Sequence, residues 1–262
     1  MAKAYERIAD EIRASIRTGA LGPGDRLPSE AKLAERYRRS VPTIRDALRT
    51  LRDEGLLEKQ HGRGTFVRSP RTKVLRTNER HQWEKRRAAE PEQVRLATGA
   101  TEHDTGLVLD DLVFHASYRG ITASAALAEA FGLAEGSALL ERAYRTRYSA
   151  ENAPFGLVTS YLVRGLVEGN PDLLDETKEP WPGGTQNQLR TVGIELDRVV
   201  EHVSARPPTP EEAGELELPP GTSVLVLRKI SYDVRGRVVE LSDVILPGDR
   251  TELAFTTPLE RW

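Results

Sequence analysis

The chain has 262 residues, no cysteine and a formal charge of −2; that length suits about two domains at roughly 100–200 residues each, while the lack of cysteine excludes disulfides and thiolate metal sites. The near-zero total hides an asymmetry: residues 1–90 hold 22 Lys+Arg against 13 Asp+Glu, a net of +9, and the remaining 172 hold a net of −11. A basic segment joined to an acidic one fits a nucleic-acid reader attached to a part that stays off the polyanion, and it disfavours a ligand-free architectural binder.

The first seventeen residues are charged and amphipathic, which is not a signal peptide, and no apolar run reaches the ~20 residues of a membrane span, so the expected compartment is the cytoplasm. Ile8, Ile12 and Ile16 recur about one turn apart and predict a supporting helix over 5–18, ended by Gly19. Pro23-Gly24 and Pro28 punctuate the chain. Ser29 then caps a short helix through Leu33, Ala34 and Tyr37, with Glu30 in its first turn. Ser40 caps the next helix, whose first turn tolerates Pro42 because that N–H has no helical partner. In it Ile44, Ala47, Leu48 and Leu51 form one buried stripe, leaving Thr43, Arg45 and Arg49 to face outward. A helix carrying Ser, Thr and Arg on its outer face suits a major groove, where Arg pairs with guanine and Thr meets a thymine methyl or a phosphate. Gly55 ends it, and a hairpin over 56–67 follows with His61-Gly62-Arg63-Gly64 at its tip. Two glycines let that backbone approach DNA closely, and Arg63 is placed for a minor groove or a phosphate. The expected DNA contacts are Lys32, Arg38, Arg39, Ser40, Pro42, Thr43, Arg45, Arg49, Gly62, Arg63 and Gly64.

This stretch resembles the GntR family of bacterial winged helix-turn-helix regulators. The resemblance rests on Leu21, Pro23-Gly24, Leu27-Pro28-Ser29-Glu30, Leu33-Ala34, Thr43-Ile44-Arg45, Ala47-Leu48, Leu51, Glu54-Gly55-Leu56 and Gly62-Arg63-Gly64-Thr65-Phe66-Val67. Two positions depart from the family pattern: Val41 stands where a basic residue is common, and Ala31 where an early arginine touches DNA in some members. Arg38 and Arg39 enrich the turn instead. The resemblance implies a docking mode but not an operator sequence.

Residues 69–90 are polar and basic with almost no apolar periodicity, and are expected to form a linker with a helix near 80–89. Trp83 and Lys85-Arg86-Arg87 have the chemistry to touch a DNA backbone, but a solvated tether is the simpler reading. The organisation expected is therefore a reading head at 1–68, a linker at 69–90 and a second domain at 91–262.

The second domain reads as α+β. Strand-like runs cover 107–115, 137–148, 155–163, 199–205, 223–234 and 237–246; helices are expected at 123–131, at 210–216 with Thr209 as N-cap, and between Gly183 and Gly193. Over about 105–258 it resembles the UTRA effector domain of the HutC-type subfamily. The matching pieces are Leu133-x-x-Gly136, Leu139-Leu140, Arg145-x-Arg147, Pro154 before Ser160-Tyr161-Leu162, Ala213 with Leu216-x-Leu218-x-x-Gly221, Gly236-x-x-Val239-Glu240-x-Ser242, and Gly248-Asp249-Arg250. The resemblance implies a chorismate-lyase-like antiparallel sheet with helices and a cleft between them for a small, often acidic effector.

Arg145 and Arg147 are two apart on a strand and so share a face, where two guanidinium forks can clamp a phosphate or carboxylate; the plain alternative is a surface ion-pair ladder. Tyr161 and Glu240 add hydrogen bonds, and Thr159 and Ser242 complete the expected effector set. Thr159 and Leu246 replace an acidic and an aromatic residue of many sugar-phosphate binders, which points away from a hydroxyl-rich sugar.

An enzyme is the rival from another class, yet no HExxH, GxSxG or P-loop pattern occurs, and the five histidines lack metal spacing, so neither a cofactor nor a metal is expected. The sequence-based expectation is a homodimeric repressor on a near-palindromic duplex operator, released or tightened by a small effector, with 69–90 as the transmission segment.

Overall fold

In the computed structural model, residues 3–60 and 62–260 are described; His61, expected at the hairpin tip, lies outside them. The chain divides into two compact units, one running to Arg71 and including Leu218–Thr222, the other comprising Thr72–Glu217 and the chain from Ser223 on.

The first unit is built from α1 (Ala4–Arg17), α2 (Glu30–Tyr37), α3 (Val41–Asp53) and a hairpin of β1 (Leu57–Gln60) and β2 (Gly64–Val67). α2 and α3 start where a serine side chain satisfies an orphan N–H. Ser29 Oγ accepts from Lys32 N–H at 3.3 Å, and Ser40 Oγ from Thr43 N–H at 3.5 Å. The predicted stripe of α3 is buried, with Ile44, Ala47 and Leu51 at 0% exposure, and packs on Ile8, Ile12 and Leu33. Arg26 bridges to Phe66, which ties the hairpin to the segment before α2.

The second unit begins earlier than the sequence suggests. β3 (Val74–Thr77) pairs in parallel with β10 (Thr251–Ala254) near the other end of the chain. α4 (Arg80–Ala88), α5 (Glu92–Ala97) and α6 (Ala100–Thr105) follow. The reading of 69–90 as a tether is thereby corrected: Arg87 and Ala88 are buried, and the Ala88 carbonyl accepts from Asn187 Nδ2 at 2.8 Å. The helix stands where it was expected, near 80–89; its burial escaped notice because the buried face is made of Arg and Ala rather than an apolar stripe.

The body of the unit is a six-stranded antiparallel sheet in the order β4-β5-β6-β9-β8-β7. Its strands are β4 (Leu112–Thr122), β5 (Ala138–Tyr148), β6 (Leu157–Val163), β7 (Leu196–Arg206), β8 (Val224–Asp233) and β9 (Val238–Pro247). The helices between them are α7 (Ala125–Phe131), α8 (Arg164–Val167), α9 (Gly184–Thr191) and α10 (Pro210–Glu215). Thr209 caps α10 in a reciprocal box with Glu212, as the sequence predicts. The strand expected over 107–115 starts later because 109–111 form a tight turn. Each sheet face has its own core. Leu140 and Leu162 pack under Leu189 of α9, while Leu139 and Leu241 pack under Ala128 and Phe131 of α7. No described helix is long and apolar enough to cross a membrane.

Candidate functional site

In the first unit the outer face of α3 is exposed and cationic. Arg45 and Arg49 are exposed and hold loose carboxylate partners: Arg45 Nε lies 2.7 Å from Glu30, and Arg49 Nη1 3.4 Å from Asp46. Exposed pairs of this kind contribute about 0–1 kcal/mol, so a phosphate or guanine edge can replace either carboxylate. Pro42, Arg39, Lys32 and Arg63 are exposed, and Thr43 is half-buried with its Oγ1 2.9 Å from Ser40 Oγ. Arg38 closes α2 in the left-handed region at φ 51°, a conformation that turns the chain sharply and costs a non-glycine residue about 1–2 kcal/mol. At the hairpin tip Gly62 (φ 73°) and Gly64 (φ 127°) occupy backbone that favours glycine, and the Arg63 guanidinium lies 5.8 Å from the Phe66 ring centre. The eleven residues expected at DNA thus belong to one unit, on α2, the turn, α3 and the hairpin tip.

In the second unit the six residues expected around an effector divide between the two faces of the sheet. Side chains directly opposite one another on antiparallel strands share a face. Glu240 is opposite Leu162, and Ser242 is opposite Ser160, which in turn is opposite Arg142. These lie on the α9 face. Tyr161 is opposite Glu141 and Leu241, Thr159 is opposite Ala143 and Asp243, and Arg145 is opposite Leu157. These, with Arg147, lie on the α7 face. The shared face of Arg145 and Arg147 is as the sequence requires; their grouping with Glu240 and Ser242 is corrected by the register.

Both arginines have partners where they are. Arg145 pairs with Glu215 and donates to the Tyr144 carbonyl at 2.9 Å. Arg147 Nη1 gathers the carbonyls of the β5–β6 turn, reaching Glu151 O at 2.9 Å. Tyr161 packs with the α7 core.

The arginine on the α9 face is Arg142, fully buried. Its Nη1 donates to Gln188 Oε1 at 2.7 Å, and its Nη2 to Ser160 Oγ at 2.9 Å, Thr185 Oγ1 at 3.3 Å and Glu240 Oε1 at 3.4 Å. Its Nε has no hydrogen-bond partner among the described residues. Glu240, 2% exposed, also receives Lys229 Nζ at 2.8 Å and the hydroxyls of Ser160, Ser231 and Ser242. Burial alone would raise its carboxyl; Lys229 and Arg142 overcome that and hold it down, from 4.5 to about 2. Glu179 completes the constellation. Its Oε1 accepts from Tyr118, from Tyr144 at 3.0 Å and from Gln188 Nε2 at 2.9 Å, and its Oε2 from Trp181 N–H at 2.6 Å. Burial pushes the Tyr118 hydroxyl up to about 12 and Tyr144 well above the usual range, so both are neutral donors at pH 7.

Arg142, Gln188 and Glu179 were absent from the sequence-based set. The signal for Arg142 was the register Leu140-Arg142-Tyr144, which is more apolar than Glu141-Ala143-Arg145-Arg147 and is therefore the better candidate for a covered face. For Gln188 and Glu179, brought in by a helix and a loop, the sequence carries no such sign.

Comparison with known proteins gives two family matches: "Bacterial regulatory proteins, gntR family" over residues 4–67 and the UTRA domain over residues 115–252. An uncharacterized HTH-type transcriptional regulator of Streptomyces coelicolor is 32% identical over 256 residues, which span 94% of this chain and 89% of that protein. The histidine utilization repressor of Klebsiella aerogenes is 46% identical over 67 residues, 26% of this chain and 28% of the repressor. A crystal structure of a GntR-family transcriptional regulator is 28% identical, covers 98% of both chains and superimposes with a TM-score of 0.61.

Proposed function

The chain belongs to the GntR family of bacterial regulators and carries a UTRA domain, and on that premise we propose that it is a repressor whose affinity for its operator is set by a small anionic molecule bound in the second unit. It is a DNA-binding transcriptional regulator; the direction of control and the effector are the proposal. A homodimer places two copies of α3 on the half-sites of a near-palindromic operator, since twofold protein symmetry matches twofold DNA symmetry. Effector binding changes DNA affinity only by the difference in its affinity for the two arrangements of the reading heads. The reading is that of a cytoplasmic regulator without catalysis.

The observation that carries the effector reading is Arg142. Arg142 is a fully buried guanidinium whose one ion-paired carboxylate stands at 3.4 Å and whose Nε has no hydrogen-bond partner among the described residues, so one of its donors is left for an acceptor from outside. An anion entering the α9 face would complete its coordination. The test is operator binding of the wild type and Arg142→Met, followed by fluorescence anisotropy with and without a panel of anionic metabolites. A panel member that shifts wild-type affinity but not that of the folded variant supports the reading; an equal response by both refutes it.

A further inference from the structure

Beside Tyr144, on the α9 face of the sheet, a cavity of about 100 Å³ lies between the strands and the segment β3–α4–α6. Its two sides differ in character. Phe155, Val158, Val244 and Leu246 of the sheet side line it with apolar surface, and Arg76, Arg80 and Asp104 of the β3–α4–α6 segment line it with charge. Resting on the proposed effector function, we infer that this cavity holds a compact carboxylic acid with an apolar body, its carboxylate on Arg76 and its body against the four-residue wall.

The two arginines are not equivalent. Arg80 is already neutralised, with Nη1 2.7 Å from Asp104 and Nε 3.4 Å from Glu84. Arg76 has one ion pair among the described residues, 3.5 Å to Glu201, and its guanidinium donates no hydrogen bond there. Glu201 is itself shared with His81 Nε2 at 3.0 Å. Burial and the neighbouring Arg80 pull the Arg76 guanidinium down to about 10, so its own carboxylates do not repay the desolvation. A carboxylate from outside supplies what is missing, two oxygens matched to the guanidinium fork.

Size and wall chemistry select the rest of the ligand. An engineered apolar cavity of about 150 Å³ takes benzene, so this one takes about four to six heavy atoms as it stands. A phosphate group with its ester oxygen would fill that space and leave four apolar side chains facing an anion. A phosphorylated hexose exceeds it several-fold. A short-chain or branched aliphatic acid of that size places its charge at one end and its hydrocarbon at the other.

Calorimetry and thermal shift of the full chain with propionate and isobutyrate, their neutral amides, inorganic phosphate and glucose 6-phosphate test this directly. The expected result is that at least one acid binds, its amide binds at least tenfold more weakly, and Arg76→Met weakens the acid at least tenfold while Arg76→Lys restores part of the loss. If Arg76→Met does not fold, the acid–amide comparison on the wild type still decides. Amides binding as tightly as acids, or no acid binding, overturns the inference. Glucose 6-phosphate or phosphate binding that depends on Arg142 and not on Arg76 overturns it too, while leaving the effector function intact. Failure of every anionic metabolite to alter operator affinity overturns that function itself.

Discussion

Replacing Glu240 with Gln removes one charge from the buried network under α9 and keeps the side-chain shape. Two routes give the size of the effect. The folded carboxyl lies at about 2 against an ordinary 4.5, and at about 1.36 kcal/mol per unit that difference contributes about 3 kcal/mol at pH 7. Independently, removing one partner of a buried ion pair costs roughly 3–5 kcal/mol. Lys229, at 2.8 Å, and Arg142 would then face each other without their shared anion. For a unit of this size about 1 kcal/mol moves the melting temperature by roughly 2–4 °C, so a drop of about 6–12 °C is expected. The sign of the pH dependence follows from the depressed carboxyl. The stabilisation is complete above the ordinary value of 4.5 and is lost as pH falls towards about 2. The gap between wild type and Glu240→Gln should therefore be constant from pH 7 to about 5 and shrink below 4.5. Thermal unfolding followed by the fluorescence of Trp83 and Trp181, repeated between pH 7 and 3, measures both quantities. A shift below about 2 °C at pH 7, or a gap that does not narrow in acid, refutes the account of Glu240 as the anion that holds Lys229 and Arg142 together.

The exposed Arg45 should make a base or phosphate contact, so Arg45→Ala weakens operator binding by at least about 1 kcal/mol in a mobility-shift titration, and unchanged binding removes Arg45 from the interface. Ser40→Ala, which strips the N-cap of α3, should lower the stability of the first unit by about 1 kcal/mol in chemical denaturation. Arg147→Ala should leave the effector's dissociation constant unchanged by calorimetry, because its guanidinium serves the β5–β6 turn on the α7 face; a tenfold loss would show the effector on that face instead. His81 is half-buried, which lowers its basicity, but Glu201 and Glu84 raise it further than burial lowers it. Its contribution is present below pH 6.5 and fades as pH rises through its raised value, and His81→Gln should flatten that limb of the stability curve.

The first unit was legible because its signals are local. A serine three residues before a free N–H, a stripe at i, i+3, i+4 and i+7, and glycines at positive φ each fix a short piece of backbone without reference to the rest of the chain. The capping box at Thr209 is of the same kind. What escaped was long-range. β3 has four residues and finds its parallel partner near the far end of the chain, so nothing around Val74 announces a strand. α4 buries Arg87 and Ala88, and its interior is polar: Gln186 Nε2 donates to His81 O at 3.0 Å, and Asn187 to Ala88 O. A helix held by hydrogen bonds from another helix has no hydrophobic periodicity for a sequence to display.

The effector set shows where strand periodicity stops informing. Period two determines that Arg145 and Arg147 share a face and that Arg142 takes the other; it does not say which face a ligand meets. That is decided by which helices cover each face, through contacts as distant in sequence as Leu140 with Leu189 and Leu139 with Phe131. The residues themselves still held a clue in their energetics. A guanidinium in the register of Leu140 and Tyr144 must be buried if that register is, and a buried guanidinium is expensive unless something repays it. An arginine flanked at i±2 by apolar and aromatic residues is therefore a stronger sign of an anion site than a pair of arginines flanked by glutamate and threonine. The latter can reach solvent, turn carbonyls or a surface carboxylate at little cost, and Arg145 and Arg147 have done so.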